Sequence, residues 1–307
     1  MDILLQQLIN GLVQGSVYAL VALGYTMVYG ILGLINFAHG EVVMVGAMVA
    51  LTALQALLAA AFAPVLAVLF SLMLAVAACM ALGYGIERVA YRPLRNAPRL
   101  APLITAIGVS IVLQNLAMMI WGREYHAFPL PFNNGLHEMG GAIITDVQIV
   151  IVLVALVMMA GLMVVVHRTR MGRAMRAVAE NPSAAALMGV DINRVISTTF
   201  MLGSALAAVA GLMVSANYGI VHYYMGFMLG LKAFTAAVLG GIGNLRGAML
   251  GGVLLGLIES LGAGYIGDLS GGFLGSHYQD VFAFFVLIAV LVLRPSGLLG
   301  ERVAERA

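Results

Sequence analysis

Glu41 and Glu259 stand inside apolar runs of this chain, where a carboxylate has to be paired, hydrated or used. His39 and Glu41 adjoin a polar break at Asn36, so they are expected at a membrane edge, reaching interfacial water or lining a path. Glu259, late in another run, either snorkels to the surface or lines an outer vestibule. Thr105, Ser110, Gln114 and Asn115 make one run polar. Ser110 and Gln114 share a helical face at spacing four. They line a path or satisfy backbone and helix–helix hydrogen bonds. Asn36 and Asn244 flank glycine-rich turns and can hold broken backbone. None of this is a catalytic constellation. The histidines lack the i, i+4 pairing of a zinc helix, and Cys79 is a lone cysteine in an apolar run. No nucleophile stands beside a base, and no Gly-x-x-x-x-Gly-Lys-Ser/Thr loop is present. The expectation is a non-enzyme without metal, cofactor or nucleotide site.

The elements that must position these groups follow from composition. Of 307 residues, 63% are apolar and 9% charged, against roughly a quarter charged in soluble domains. The apolar segments are Leu8–Leu32, Val42–Phe62, Val65–Ile86, Ala101–Trp121, Val147–Val166, Val195–Ala216, Leu229–Leu239, Ala248–Leu261 and Val281–Leu293. A membrane-spanning helix needs about 20 residues. Leu229–Leu239 and Ala248–Leu261 fall short of that and flank Gly240-Gly241-Ile242-Gly243-Asn244, so 229–261 is either two spans with a tight turn or a pair of re-entrant half-helices. The fold class is all-α: a polytopic membrane protein of eight to ten transmembrane or half-membrane helices, one domain over 1–307.

Nine of the fifteen basic residues lie between Arg88 and Arg99 or between Arg168 and Arg194, which places both connections in the cytoplasm. The loop from Gly122 to Asp146 suits the outside, and Arg294, Arg302 and Arg306 put the C-terminus inside. Nine crossings then leave the N-terminus outside, read as an uncleaved first span. A net charge of +2, with its cations at membrane edges, excludes nucleic acid as partner. Small residues recur at spacing four, as in Gly11-Gly15-Ala19 and Gly252-Gly256, for helix packing within the chain or between subunits. Asn36 to Gly46 faintly echoes Asn244 to Gly251, as an internal repeat would.

The connection from about 167 to 194 reads as two short helices. Met171, Ala174, Met175 and Val178 share one face, and Arg173, Arg176 and Glu180 the other, with Arg176 and Glu180 spaced for an ion pair. Asn181-Pro182 ends the first helix and starts the second, Asn181 as N-cap and Pro182 at N1. The second is small and alanine-rich (Ser183, Ala184, Ala185, Ala186) and stops at Gly189. It has little apolar area to bury in lipid, so docking into a groove of a cytoplasmic partner is the favoured reading.

Ser183-Ala-Ala-Ala-Leu-Met-Gly189 resembles the Glu-Ala-Ala-x-x-x-Gly coupling motif of ABC importer permeases, with serine at the glutamate position and without the Ile-x-Leu-Pro tail. Longer stretches are similar to the permeases of branched-chain amino-acid ABC importers, in particular the shorter of their two permease subunits. They include Gly24-Tyr-Thr-Met-Val-Tyr-Gly30, Leu34-Ile-Asn-Phe-Ala-His-Gly-Glu41, Gly172-Arg-Ala-Met-Arg-Ala-Val-Ala-Glu-Asn-Pro182, Gly240-Gly-Ile-Gly-Asn244 and Arg294-Pro-Ser-Gly-Leu-Leu299. The resemblance implies a subunit in the bacterial inner membrane, paired with a second homologous permease. Two cytoplasmic ATP-binding subunits would drive it, and a periplasmic amino-acid-binding protein would supply it. Arg173, Arg176, Glu180, Asn181, Pro182, Ser183, Ala184, Ala185, Ala186 and Gly189 would then couple to the ATPases. Asn36, His39, Glu41, Ser110, Gln114, Asn115, Asn244 and Glu259 are the pathway candidates. Two rivals are the same machine carrying urea or short amides, and a stand-alone secondary transporter, which would need an ion pair or ion site inside the membrane.

Overall fold

A computed structural model describes residues 2–95, 97–98, 100–130, 134–269 and 278–300. Arg99, Arg302 and Arg306, used above for orientation, lie outside the described residues.

Among the described residues seven helices are long and apolar enough to cross a membrane, and two more are apolar but shorter. In chain order the helices are α1 (Asp2–Leu32), α2 (His39–Ala59), α3 (Pro64–Ile86), α4 (Leu100–Trp121), α5 (Asp146–Arg168), α6 (Arg170–Glu180), α7 (Pro182–Leu187), α8 (Ile192–Tyr218), α9 (Met225–Gly240), α10 (Leu245–Leu269) and α11 (Gln279–Leu293). The all-α reading needs one small addition. Two antiparallel strand pairs decorate one end: His126–Ala127 with Ile220–Val221, and the hairpin Leu136–Met139 with Ala142–Thr145. The hairpin turns on Gly140 and Gly141, both at positive φ (60° and 88°), which only glycine adopts freely. This hairpin end also holds the start of α1, because Gln6 bonds both the N–H and the carbonyl of Ile143. The opposite, basic end gathers α6, α7 and the arginines from Arg88 to Arg95.

Polarity is inverted relative to a soluble protein. α3 exposes Val65, Leu69 and Met73 and buries Ala67, Ser71, Ala75, Cys79 and Gly83, a stripe at strict spacing four. Where lipid is the solvent, helices associate by close backbone packing, and small residues allow it. The seam between α1 and α10 works the same way. A Cβ on Gly15 would lie 2.7 Å from the Val253 Cα, and Gly252 abuts Ala19. The Gly11-Gly15-Ala19 pattern thus packs within the chain.

Two expectations about interrupted helices change. Ala248–Leu261 is too short a reading: α10 has 25 residues, about 37 Å of helix, enough for a span of about 30 Å. α9, with 16 residues, is about 24 Å long and does not match that thickness. The second change is a re-entrant stretch that spacing did not reveal. His39 packs edge-on against Tyr25, with ring centroids 4.9 Å apart, and a Cβ on Gly24 would run into its imidazole. Gly24 lies eight residues, about 12 Å, before the end of α1. The chain from Gly33 to Ala38 therefore folds back into the bundle, and α2 begins at depth. Asn36 holds the bend: its Oδ1 accepts from the Ala38 N–H (3.1 Å) and from the Tyr91 hydroxyl (3.0 Å). Such backbone survives inside a membrane only when protein surrounds it.

Candidate functional site

At the basic end, Thr169 caps α6 by accepting from the Gly172 N–H at 3.0 Å. Met175 and Val178 are buried and Arg173 and Glu180 exposed, as the spacing predicts. The expected Arg176–Glu180 ion pair does not form. Arg176 instead donates to the Val166 carbonyl at 2.5 Å, satisfying an orphan group at the end of α5. Asn181 accepts from the Ala184 N–H at 3.0 Å, Pro182 opens α7, and Gly189 follows at φ 85°. Ala185 faces inward (4% exposed), while Ser183, Ala184 and Ala186 face out. The helix is less smooth than its alanines suggest, because Leu187 and Met188 stand 89% and 84% exposed at its end.

The loop is braced by a cluster that sequence reading missed. Glu87, fully buried, accepts from Arg92 (2.8 Å), from Arg95 and from Ser197 Oγ (2.8 Å). Arg95 also donates to Asn193 at 2.6 Å. The arginines read as markers of a basic loop thus clamp α3 to the start of α8. A π-helical turn, Glu87–Tyr91, brings them into position. A groove of about 850 Å3 opens nearby, between Tyr29, His167, Arg176, Ala179 and Arg246.

His39 and Glu41 do not reach interfacial water; both are buried, because α2 starts inside the bundle. Glu41 Oε1 accepts from Gln114 Nε2 (2.6 Å) and Ser110 Oγ (3.1 Å), so the face shared by Ser110 and Gln114 meets this carboxylate. Its other oxygen faces Gly226 in the first turn of α9. Two helix starts, at Gly40 and Gly226, thus converge on one carboxylate, where their dipoles favour negative charge. Asn115 does not join them: it is exposed and bonds the Ile111 carbonyl of its own helix. Asn244 accepts from the Arg246 and Gly247 N–H groups and donates to the Leu299 carbonyl, tying the α9–α10 turn to the chain after α11.

Glu259 does not snorkel. It is fully buried, and its Oε2 accepts from the Tyr18 hydroxyl (2.7 Å) and Lys232 Nζ (3.2 Å). Lys232 also pairs with Asp280 Oδ1 at 2.7 Å. Lys232 and Asp280 were passed over in the sequence, although a lysine within an apolar run was the available signal. Among the described residues no group of three or more His, Cys, Asp or Glu could hold a metal.

Comparison with known proteins places this arrangement. A family model described as branched-chain amino acid transport system / permease component matches residues 7–291. The chain is 48% identical to the high-affinity branched-chain amino acid transport system permease protein BraD of Pseudomonas aeruginosa, over 98% of this chain and 97% of that one. It is 47% identical to LivH of Escherichia coli, described in the same words, over the same shares. A probable branched-chain amino acid transport permease protein of Methanocaldococcus jannaschii is 30% identical over 95% and 91% of the two chains. No solved structure matches.

Proposed function

Since the chain belongs to the branched-chain amino acid transport permease family, we propose that it imports leucine, isoleucine, valine or similar apolar amino acids as one membrane subunit of an ATP-driven machine. The chain itself is a transport subunit. ATP is hydrolysed by two cytoplasmic partners, a second homologous permease completes the channel, and a periplasmic binding protein delivers the cargo. The basic end faces the cytoplasm and the hairpin end the periplasm, with the N-terminus outside and the C-terminus inside.

The observation that carries this reading is α7. It is a six-residue helix, capped at its start, with two bare apolar side chains at its end and one alanine seated on its own chain. Leu187 and Met188 suit the hydrophobic groove of another protein, where burying both side chains would yield several kcal/mol (about 1.5–3 each). When the ATPase dimer closes, its grooves push α7 sideways. α6 and the Glu87 clamp pass that displacement to α5, α8 and α3, and the pathway switches the side to which it opens.

The stand-alone transporter has one feature in its favour, the buried Lys232–Glu259 pair. The pair is also explained as internal packing between α9 and α10, and family membership favours the machine. The deciding experiment is co-purification of the chain with candidate ATPases, then ATP-dependent uptake of labelled leucine in vesicles. Gly189→Arg and Ala185→Trp are expected to abolish uptake while the protein still inserts. Normal uptake by correctly inserted variants would sink coupling through α7.

A further inference from the structure

Above the Lys232–Glu259 pair, toward the hairpin end, lies a chamber of about 250 Å3 enclosed by α1, α5, α8 and α10. Gln7, Asn10, Gln14, Gln148, Asn217 and Ser260 line it. Gln14 connects it to the charges below, its Nε2 reaching the Tyr18 hydroxyl at 2.8 Å and Glu259 Oε2 at 3.4 Å. A second recess, of about 40 Å3, shares Val13, Gln14, Asn217 and Tyr218 with the chamber and is otherwise lined by Val17, Tyr18, Val214 and Leu229. A cavity needs roughly 10–15 Å3 to hold one water, so the recess has room for about three, the bulk of a small alkyl group.

The electrostatics are lopsided. Lys232 faces two carboxylates, Glu259 and Asp280, so one formal negative charge is left over. Glu259 Oε1 is shielded from solvent and has no hydrogen-bond partner among the described residues. The chamber also lies between helix ends of opposite sign. Gln148 belongs to the first turn of α5, and Asn217 and Tyr218 to the last turn of α8. Gln148 Oε1 is taken by the Thr145 N–H, which leaves its amide NH2 to donate.

We propose that chamber and recess together receive a single zwitterionic apolar amino acid inside this one subunit. The ammonium is drawn toward the surplus negative charge of the cluster, which lies behind Gln14 and Tyr18 and does not itself line the chamber. The carboxylate meets amide donors at the positive end of α5, and the branched side chain enters the recess beside Val17, Val214 and Leu229. Other ligand classes fit worse. A purely apolar molecule would displace water from the polar side chains that line the chamber without replacing its hydrogen bonds. A simple anion meets net negative charge, and a simple cation leaves the amide donors at α5 and the recess unused. The inference rests on the cargo reading above. It also places the reception point within one permease rather than at the seam between two.

The test uses the complete permease–ATPase complex in lipid nanodiscs without binding protein. Cys79 is buried, so an engineered Asn217→Cys is the reporter for a charged thiosulfonate reagent. Leucine at about twice its dissociation constant is expected to slow modification about threefold. The same concentration of 4-methylpentanoate, which is leucine without its ammonium, should leave the rate unchanged. Adding Glu259→Gln should remove the protection by leucine. Val214→Phe, which fills the recess, should keep protection by alanine and lose that by leucine. An unchanged rate at saturating leucine, or equal protection by 4-methylpentanoate, overturns the site. Uptake by the same complex with binding protein and ATP separates the two readings. Leucine uptake without protection of the reporter removes only the site, whereas no uptake of any apolar amino acid removes the cargo reading and the site with it.

Discussion

The Lys232–Glu259–Asp280 cluster and the α7 helix are held in place on opposite terms. The cluster sits in the bundle interior and is fixed by opposite charges on α9, α10 and α11 that bring one another out of solvent. α7 sits outside and is fixed by local backbone chemistry: an asparagine cap, a proline, a left-handed glycine and one buried alanine. Losing a partner in the first leaves an uncompensated charge in a low-dielectric interior. Losing a side chain at the tip of the second leaves only solvent. Stability should therefore reside in the cluster, and communication with a partner in the helix.

The largest effect is expected from Lys232→Met. Stranding two carboxylates should cost about 3–5 kcal/mol, read as a fall in melting temperature of the purified protein. Combining it with Glu259→Gln should restore part of the loss, and strict additivity of the two would mean that they do not interact. Glu87→Gln extends the comparison to the basic end. Its two arginines lose a charged acceptor, for about 1.5–3 kcal/mol in the same assay. Glu41→Gln is milder, at about 1 kcal/mol, because Ser110 and Gln114 are neutral donors and a carboxamide still accepts from them. A loss equal to that of Lys232→Met would refute the distinction between charge-paired and neutrally bonded carboxylates. Asn181→Ala should cost about 1 kcal/mol and confine it to α7, seen as faster amide exchange there alone. Leu187→Ser with Met188→Ser should change stability by less than about 0.5 kcal/mol and still abolish retention of the ATPase. Retention by that variant would break the assignment of the helix tip.

The helical segments were legible because lipid imposes a simple rule, and all nine apolar runs begin or end within a few residues of the observed helices. Ala248–Leu261 fell short because glycines dilute the apolar signal at both ends of α10. The ends of α6 and α7 were legible, since Asn181, Pro182 and Gly189 act through φ, ψ and hydrogen bonds to near neighbours. Asn115 was misread beside Gln114 because adjacent positions on a helix point about 100° apart, and only the neighbouring α2 shows which of them faces inward. The Glu87 clamp was not legible because Ser197, which donates to Glu87, and Asn193, which accepts from Arg95, come from a distant part of the chain.

Sequence by itself determined the class of protein, the apolar segments that become its helices, and the form of the exposed α6–α7 loop. All of these depend on composition, on period, or on contacts spanning a few residues. Tertiary structure alone decided the depth at which α2 begins, the partners of Glu41, Glu87 and Glu259, and the chamber over Lys232. The reason is that a buried charge is stable only against a specific neighbour. In this bundle those neighbours lie up to 245 residues away along the chain.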